Sequence, residues 1–143
     1  MGRRLVLDAS LIASYLLPDE SSFVFEAVLR AQAGGFVICA VPANGLIEVA
    51  QAVVGAVRRS RLDTADAETA LERLAELPIA VLPGVDPLAV LRLALSNRLT
   101  AYDASYLAVA LSTGGLLASG DRDLARAAHE LGILWTPPAT IPA

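Results

Sequence analysis

The chain has 143 residues, 55 % of them apolar, one cysteine, one histidine and a formal net charge of −4. Cys39 alone cannot close an internal disulfide, which fits a reducing cytoplasm, and with His129 as its only companion it excludes a Cys/His zinc set. The negative balance argues against broad, sequence-independent binding of nucleic acid, which rests on basic surfaces.

In chain order, residues 4–8 (RLVLD) form a short apolar run with β character, ended by Asp8. Residues 11–17 read as a helix stopped at Pro18. Ser21 or Ser22 can cap a second helix to about Ala33, ended by Gly34-Gly35. Residues 36–41 (FVICAV) are a strand closed by Pro42, followed by a long helix over about 43–59 and another over about 64–75. Residues 79–82 (IAVL) make a short strand between two prolines. Helices over 87–96 and 101–112 lead to a strand at 116–119, a helix from Arg122 to Gly132, and a last strand at 133–135.

Short strands free of polar interruptions suit a parallel sheet buried on both faces. Strands alternating with helices predict one α/β domain, a three-layer α/β/α arrangement around a central parallel sheet. It occupies residues 1–136, with 137–143 a proline-containing tail. Mean hydropathy is high, +0.57. The longest uncharged stretches, 31–47 and 104–120, are nonetheless 17 residues each and hold Gly-Gly pairs. A spanning helix needs about 20 apolar residues, so these are core segments. The opening MGRRLVLDAS is unlike a secretory leader, its apolar run being broken by Asp8.

The triplet Asp-Ala-Ser occurs twice, at 8–10 and 103–105, each time among apolar neighbours. In open parallel sheets ligands bind beyond the carboxyl ends of the strands. Asp8 ends the first strand and Asp121 follows the strand at 116–119, so both face that edge. Glu48 and Asp103 stand in the first turns of their helices near the same edge. Each acid alone has a plain structural reading. Asp8 and Asp121 can cap the helices that follow them, and Asp103 can form a capping box with Thr100. Glu48 belongs to a polar stripe of Asn44, Gln51, Gly55 and Arg58 that suits a solvated face. Together, several carboxylates aimed at one point repel and raise each other's pKa. Such a cluster suits a hard divalent cation, Mg²⁺ or Mn²⁺, and through it phosphodiester hydrolysis.

Four stretches, LVLDASLIASYLLPDE, PANGLIEVAQAV, LTAYDASYLAVA and LASGDRDL, stand in this order along nearly the whole chain. With them the sequence resembles the PIN-domain ribonucleases, and more narrowly the VapC-type toxins of toxin–antitoxin pairs. The resemblance implies that Asp8, Glu48, Asp103 and Asp121 are the catalytic, metal-binding acids. Ser10, Ser119, Thr100, Asp123 and Gln51 would orient them or the substrate, Gln51 standing where the family often has Asn. It further implies a Mg²⁺- or Mn²⁺-dependent endoribonuclease that cleaves RNA with a metal-activated water, leaving a 3′-hydroxyl and a 5′-phosphate. A cognate antitoxin protein and a homodimer in the cytoplasm belong to the same expectation. Arg58, Arg59, Arg61 and Arg122 are candidates for RNA phosphates or, equally, solvated helix ends.

Two other readings compete. The same fold with a degraded site would be a protein–protein interaction module. A phosphoryl-accepting α/β domain also clusters aspartates at strand ends, but Asp8 is followed by Ala-Ser-Leu rather than by a second aspartate, and the chain has no lysine.

Overall fold

A computed structural model of the chain describes residues 2–20 and 22–138. Its elements run β1 (Arg3–Leu7), α1 (Ala9–Leu16), α2 (Phe23–Ala33), β2 (Val37–Pro42), α3 (Gly45–Arg58), α4 (Thr64–Glu76), β3 (Ala80–Leu82), α5 (Pro87–Asn97), α6 (Ala101–Ser112), β4 (Leu116–Ala118) and α7 (Arg122–Glu130). The four strands form one sheet in the order β3-β2-β1-β4. Every pairing is parallel, with Leu5 opposite Cys39 on one side and Leu116 on the other. The expected α/β architecture with a central parallel sheet is therefore present.

β1 is one of the two interior strands and its apolar end carries the core. Leu5, Val6 and Leu7 are all fully buried. Their alternation divides the interior in two. Leu5 and Leu7 join Val37, Cys39 and Val41 against Leu11, Ile12 and Leu16 of α1 and Phe25 and Val28 of α2. Val6 and Leu117 face the other way, onto Tyr106, Leu107 and Val109 of α6 and Leu124 of α7. Helix α6 is buried without interruption from Ala104 to Ala110, which makes it the most enclosed helix of its layer. Cys39 is a small buried hydrophobe whose thiol burial pushes up to about 12, and His129 is exposed in the last turn of α7.

Side-chain caps set most helix starts. Asp8, Ser22, Asp63, Asp86, Thr100 and Asp121 each accept a hydrogen bond from a backbone N–H of the first turn that follows. Ser22 is thus the cap of α2, while Ser21 lies outside the described residues. Gly115 lets β4 close on β1: a Cβ there would stand 2.7 Å from the Arg4 carbonyl oxygen.

Two strand expectations need correction. The last strand is only a parallel bridge between Leu134 and Leu117, held by Leu117 N–H to Ile133 O and Trp135 N–H to Leu117 O, both 2.8 Å. Pro137 and Pro138 follow and carry no N–H to extend it. β3 is not buried on both faces: it is the sheet edge, with Val81 49 % exposed. The expected tail at 137–143 lies outside the described residues from 139 onward. Among the described residues no helix is long and apolar enough to cross a membrane.

Candidate active site

The carboxyl ends of β1 and β4 lie side by side, and four helices begin around them. Asp8 ends β1 and caps α1; Glu48 is in the first turn of α3; Asp103 is in the first turn of α6; Asp121 caps α7. All four carboxylates line one cleft of about 210 Å³, with Ala9, Ser10, Gln51 and Tyr106 completing its wall. The capping expected of Asp8 and Asp121 and the clustering of all four acids are present, because one side chain can serve a helix start and face the cleft at once; of the capping box expected at Asp103, the structure shows the Thr100 half. The positive ends of the helix dipoles then converge on the acids and offset part of their mutual repulsion.

Asp8 is 3 % exposed and is the most deeply placed of the four. Its Oδ1 accepts from the Ser10 hydroxyl and from the Leu11 N–H, each at 2.8 Å. Its Oδ2 accepts from the Ser119 hydroxyl. Ser119 in turn accepts from the Asp121 N–H at 2.9 Å, and Asp121 Oδ2 accepts from the Leu124 N–H at 2.8 Å. A single serine thus couples the first and last acids. Three donors thus satisfy the buried Asp8 carboxyl, as a buried polar group requires.

Across the cleft, the Tyr106 hydroxyl donates to Glu48 Oε2. Burial pushes the Glu48 carboxyl above its ordinary value, as do the charges of Asp103 and Asp8, while the hydrogen bonds from Tyr106 and Asn44 oppose the rise. Asp103 is raised first by burial and then by Asp121, with Asp8 and Asp123 adding to it and Thr100 opposing. The Tyr106 phenol is raised by burial and by its bond to Glu48. The acids therefore feel one another as a group. The ion pairs among the described residues lie elsewhere, Arg61 with Asp19 and Glu20 and Arg126 with Glu130.

The donor set is four carboxylates with no nitrogen or sulfur, which is the chemistry a hard divalent cation takes. Among the described residues, however, no three His, Cys, Asp or Glu side chains are gathered into a coordination group. The acids share a cleft, with several of their oxygens committed to caps and hydroxyls.

The remaining residues singled out by sequence are spread unevenly. Ser10, Ser119 and Gln51 are at the cleft or bonded to its acids. Thr100 caps α6 by accepting the Asp103 N–H at 3.1 Å. Asp123 is exposed outside the cleft wall, reaching Asp103 only through its field. Arg58 and Arg59 end α3, and Arg122 begins α7, all three exposed. Arg61 is committed to Asp19 at 2.8 Å and Glu20 at 3.3 Å. Tyr106 was not singled out by sequence as a cleft residue. The signal was its place three residues after Asp103, on the same helix face.

The PIN domain family model matches residues 5–130. A solved structure similar to this one is the crystal structure of PAE2754 from Pyrobaculum aerophilum. It is 26 % identical, with a TM-score of 0.68 over 87 % of this chain and 79 % of that one. No curated protein matches the chain. PIN domains are generally nucleases and typically use divalent metals. With the family model spanning nearly every element from β1 to α7, the chain belongs to the PIN domain family.

Proposed function

We propose that this protein is a Mg²⁺- or Mn²⁺-dependent endoribonuclease acting as the toxin of a toxin–antitoxin pair. The observation that carries the reading is the convergence of Asp8, Glu48, Asp103 and Asp121, from four separate elements, on one cleft. These four residues would hold the cation, which when bound supplies Lewis-acid activation of the phosphodiester and of the attacking water. Ser10 and Ser119 fix the Asp8 carboxylate through their hydroxyls. Gln51, exposed on the cleft wall, is placed to donate to a phosphate oxygen. Arg58, Arg59 and Arg122 offer exposed cations for more distant phosphates of a folded RNA. Arg61 is already ion-paired within the chain, so its first role is to tie the loop after α1 to the turn after α3. A cognate antitoxin would silence the cleft by covering it, and a homodimer in the cytoplasm is the assembly this reading proposes.

One observation favours a second reading. The cleft oxygens already serve caps and hydroxyls, and no three acids form a coordination group among the described residues. A protein–protein interaction module that has kept the fold without the reaction fits that geometry.

Induced expression in a bacterial host separates the two. Asp103 is half-buried and caps no helix itself, so Asp103→Asn retains the fold. The nuclease reading expects growth arrest by the wild type and relief by Asp103→Asn. Equal toxicity of both proteins, or toxicity of neither, removes the toxin reading.

A further inference from the structure

Helices α3 and α6 belong to different parts of the packing. α3 rests mainly on α1 and α4, and α6 on α5, α7 and the sheet. Where their first turns meet, polar side chains join them. The Tyr106 hydroxyl crosses to Glu48 Oε2. One turn earlier on α3, Asn44 Nδ2 donates to Ser105 Oγ at 3.1 Å, and that hydroxyl donates on to the Tyr102 carbonyl at 2.5 Å. Asn44 occupies the N-cap position of α3 yet makes no capping bond with its side chain. A residue type that ordinarily caps its own helix start here reaches the neighbouring helix, besides the hydrogen bond it lends Glu48.

Tyr106 is 2 % exposed, with its ring packed in the core of the α6 layer while the residue lines the cleft and its hydroxyl bonds Glu48. A packed aromatic ring has few rotamers, so the position of that hydroxyl is set by the core. Glu48 differs: a glutamate has three rotatable bonds and, on a helix surface, several ways to point. From these placements we propose that Tyr106 is a positioning residue. Its hydroxyl holds one oxygen of Glu48 and thereby turns the other toward the ligand of the cleft, with Asn44–Ser105 keeping the two helix starts in register. The second Asp-Ala-Ser then differs in purpose from the first. Ser10 holds the aspartate of its own triplet, whereas Ser105 and Tyr106 hold the helix that carries Glu48.

The inference rests on the cation reading of the cleft, and its test separates the two. Mn²⁺ is titrated calorimetrically into metal-free wild type, Tyr106→Phe, Glu48→Gln and the double variant, each shown by circular dichroism to be folded. Phe keeps the ring and removes only the hydroxyl. Groups that orient a ligand side chain typically contribute about 10–100-fold to metal affinity. Tyr106→Phe is expected to weaken Mn²⁺ binding by about that factor in the wild-type background and to change nothing in the Glu48→Gln background. A purely structural role for the hydroxyl would weaken binding equally in both backgrounds and would overturn the proposal. So would unchanged affinity in Tyr106→Phe while Glu48→Gln is weakened, a result that leaves the nuclease reading intact. Wild type that binds no Mn²⁺ removes the cation reading, and the positioning role with it. A urea-unfolding cycle on the same four metal-free proteins reads the hydrogen bond itself, and additive effects there would show that the two side chains are not coupled.

Discussion

Ser119→Ala removes one hydroxyl and is expected to loosen both ends of the acid pair it joins. The Ser119 hydroxyl donates to Asp8, which is 3 % exposed. It also accepts the Asp121 N–H at 2.9 Å. A hydrogen bond to a charged group contributes about 1.5–3 kcal/mol and a neutral one about 1 kcal/mol. Water can replace the serine at the Asp121 N–H, because that position is only partly buried. Asp8 is more enclosed, so water replaces the serine less readily there and that bond dominates the loss. The expected cost is about 2–3 kcal/mol out of the roughly 5–15 kcal/mol that holds a typical domain together. For a domain of this size that lowers Tm by about 6–12 °C. Urea titration of metal-free protein measures it as a lower midpoint at unchanged slope. In an Asp8→Ala background the same substitution should cost about 1 kcal/mol or less, since only the neutral bond remains. A single variant within about 0.5 kcal/mol of wild type would refute the claim that this serine holds the buried carboxyl in place.

The acid cluster sets a pH dependence of definite sign. Folding raises the Glu48 and Asp103 carboxyls above their ordinary values of 4.5 and 3.8. The native state then binds protons more tightly than the unfolded chain. That contribution to stability is complete below those ordinary values and is lost as pH rises through the raised ones. Across the rise from about pH 4 to about pH 7.5, metal-free wild type should therefore lose more of its resistance to urea than Glu48→Gln/Asp103→Asn does. An identical loss in that double variant would show that other groups carry the dependence. Gly115→Ala should cost about 1–3 kcal/mol by calorimetry, because its Cβ would meet the Arg4 carbonyl oxygen at 2.7 Å, where backbone must move rather than a flexible side chain. Wild-type stability there would mean that β4 can shift away from β1 freely.

Elements with a strong local signature were legible in the sequence. α6 has the bounds its pattern predicts, 101–112, because Thr100 caps it and Gly114-Gly115 ends its run. The apolar run of β1 and the acid that ends it were equally plain. What pattern could not supply was each element's surroundings. The polar stripe of α3 looked uniformly solvated, yet it divides. Asn44 and Glu48 abut the start of α6 and are half-buried, while Gln51 and Arg58 are exposed. Arg61 looked like a free cation because Asp19 and Glu20, its partners, are about 40 residues away in sequence. β3 has the composition of an interior strand but lies at the edge, a position decided by strand order rather than by its own residues.

The bond between Ser119 and Asp8 spans 111 residues, and it orders events in time. β1 is made long before β4, yet they are neighbours in the sheet. A nascent chain that has emerged only through α6 holds Asp8, Glu48 and Asp103 but has neither Ser119 nor Asp121. Its buried aspartate then lacks one of its donors, and its sheet lacks one of the two strands that flank β1. Completion of the cleft is thereby deferred until β4 and the start of α7 have emerged. Long-range closures of this kind slow folding, and here the delay falls on the cleft that gathers the four acids.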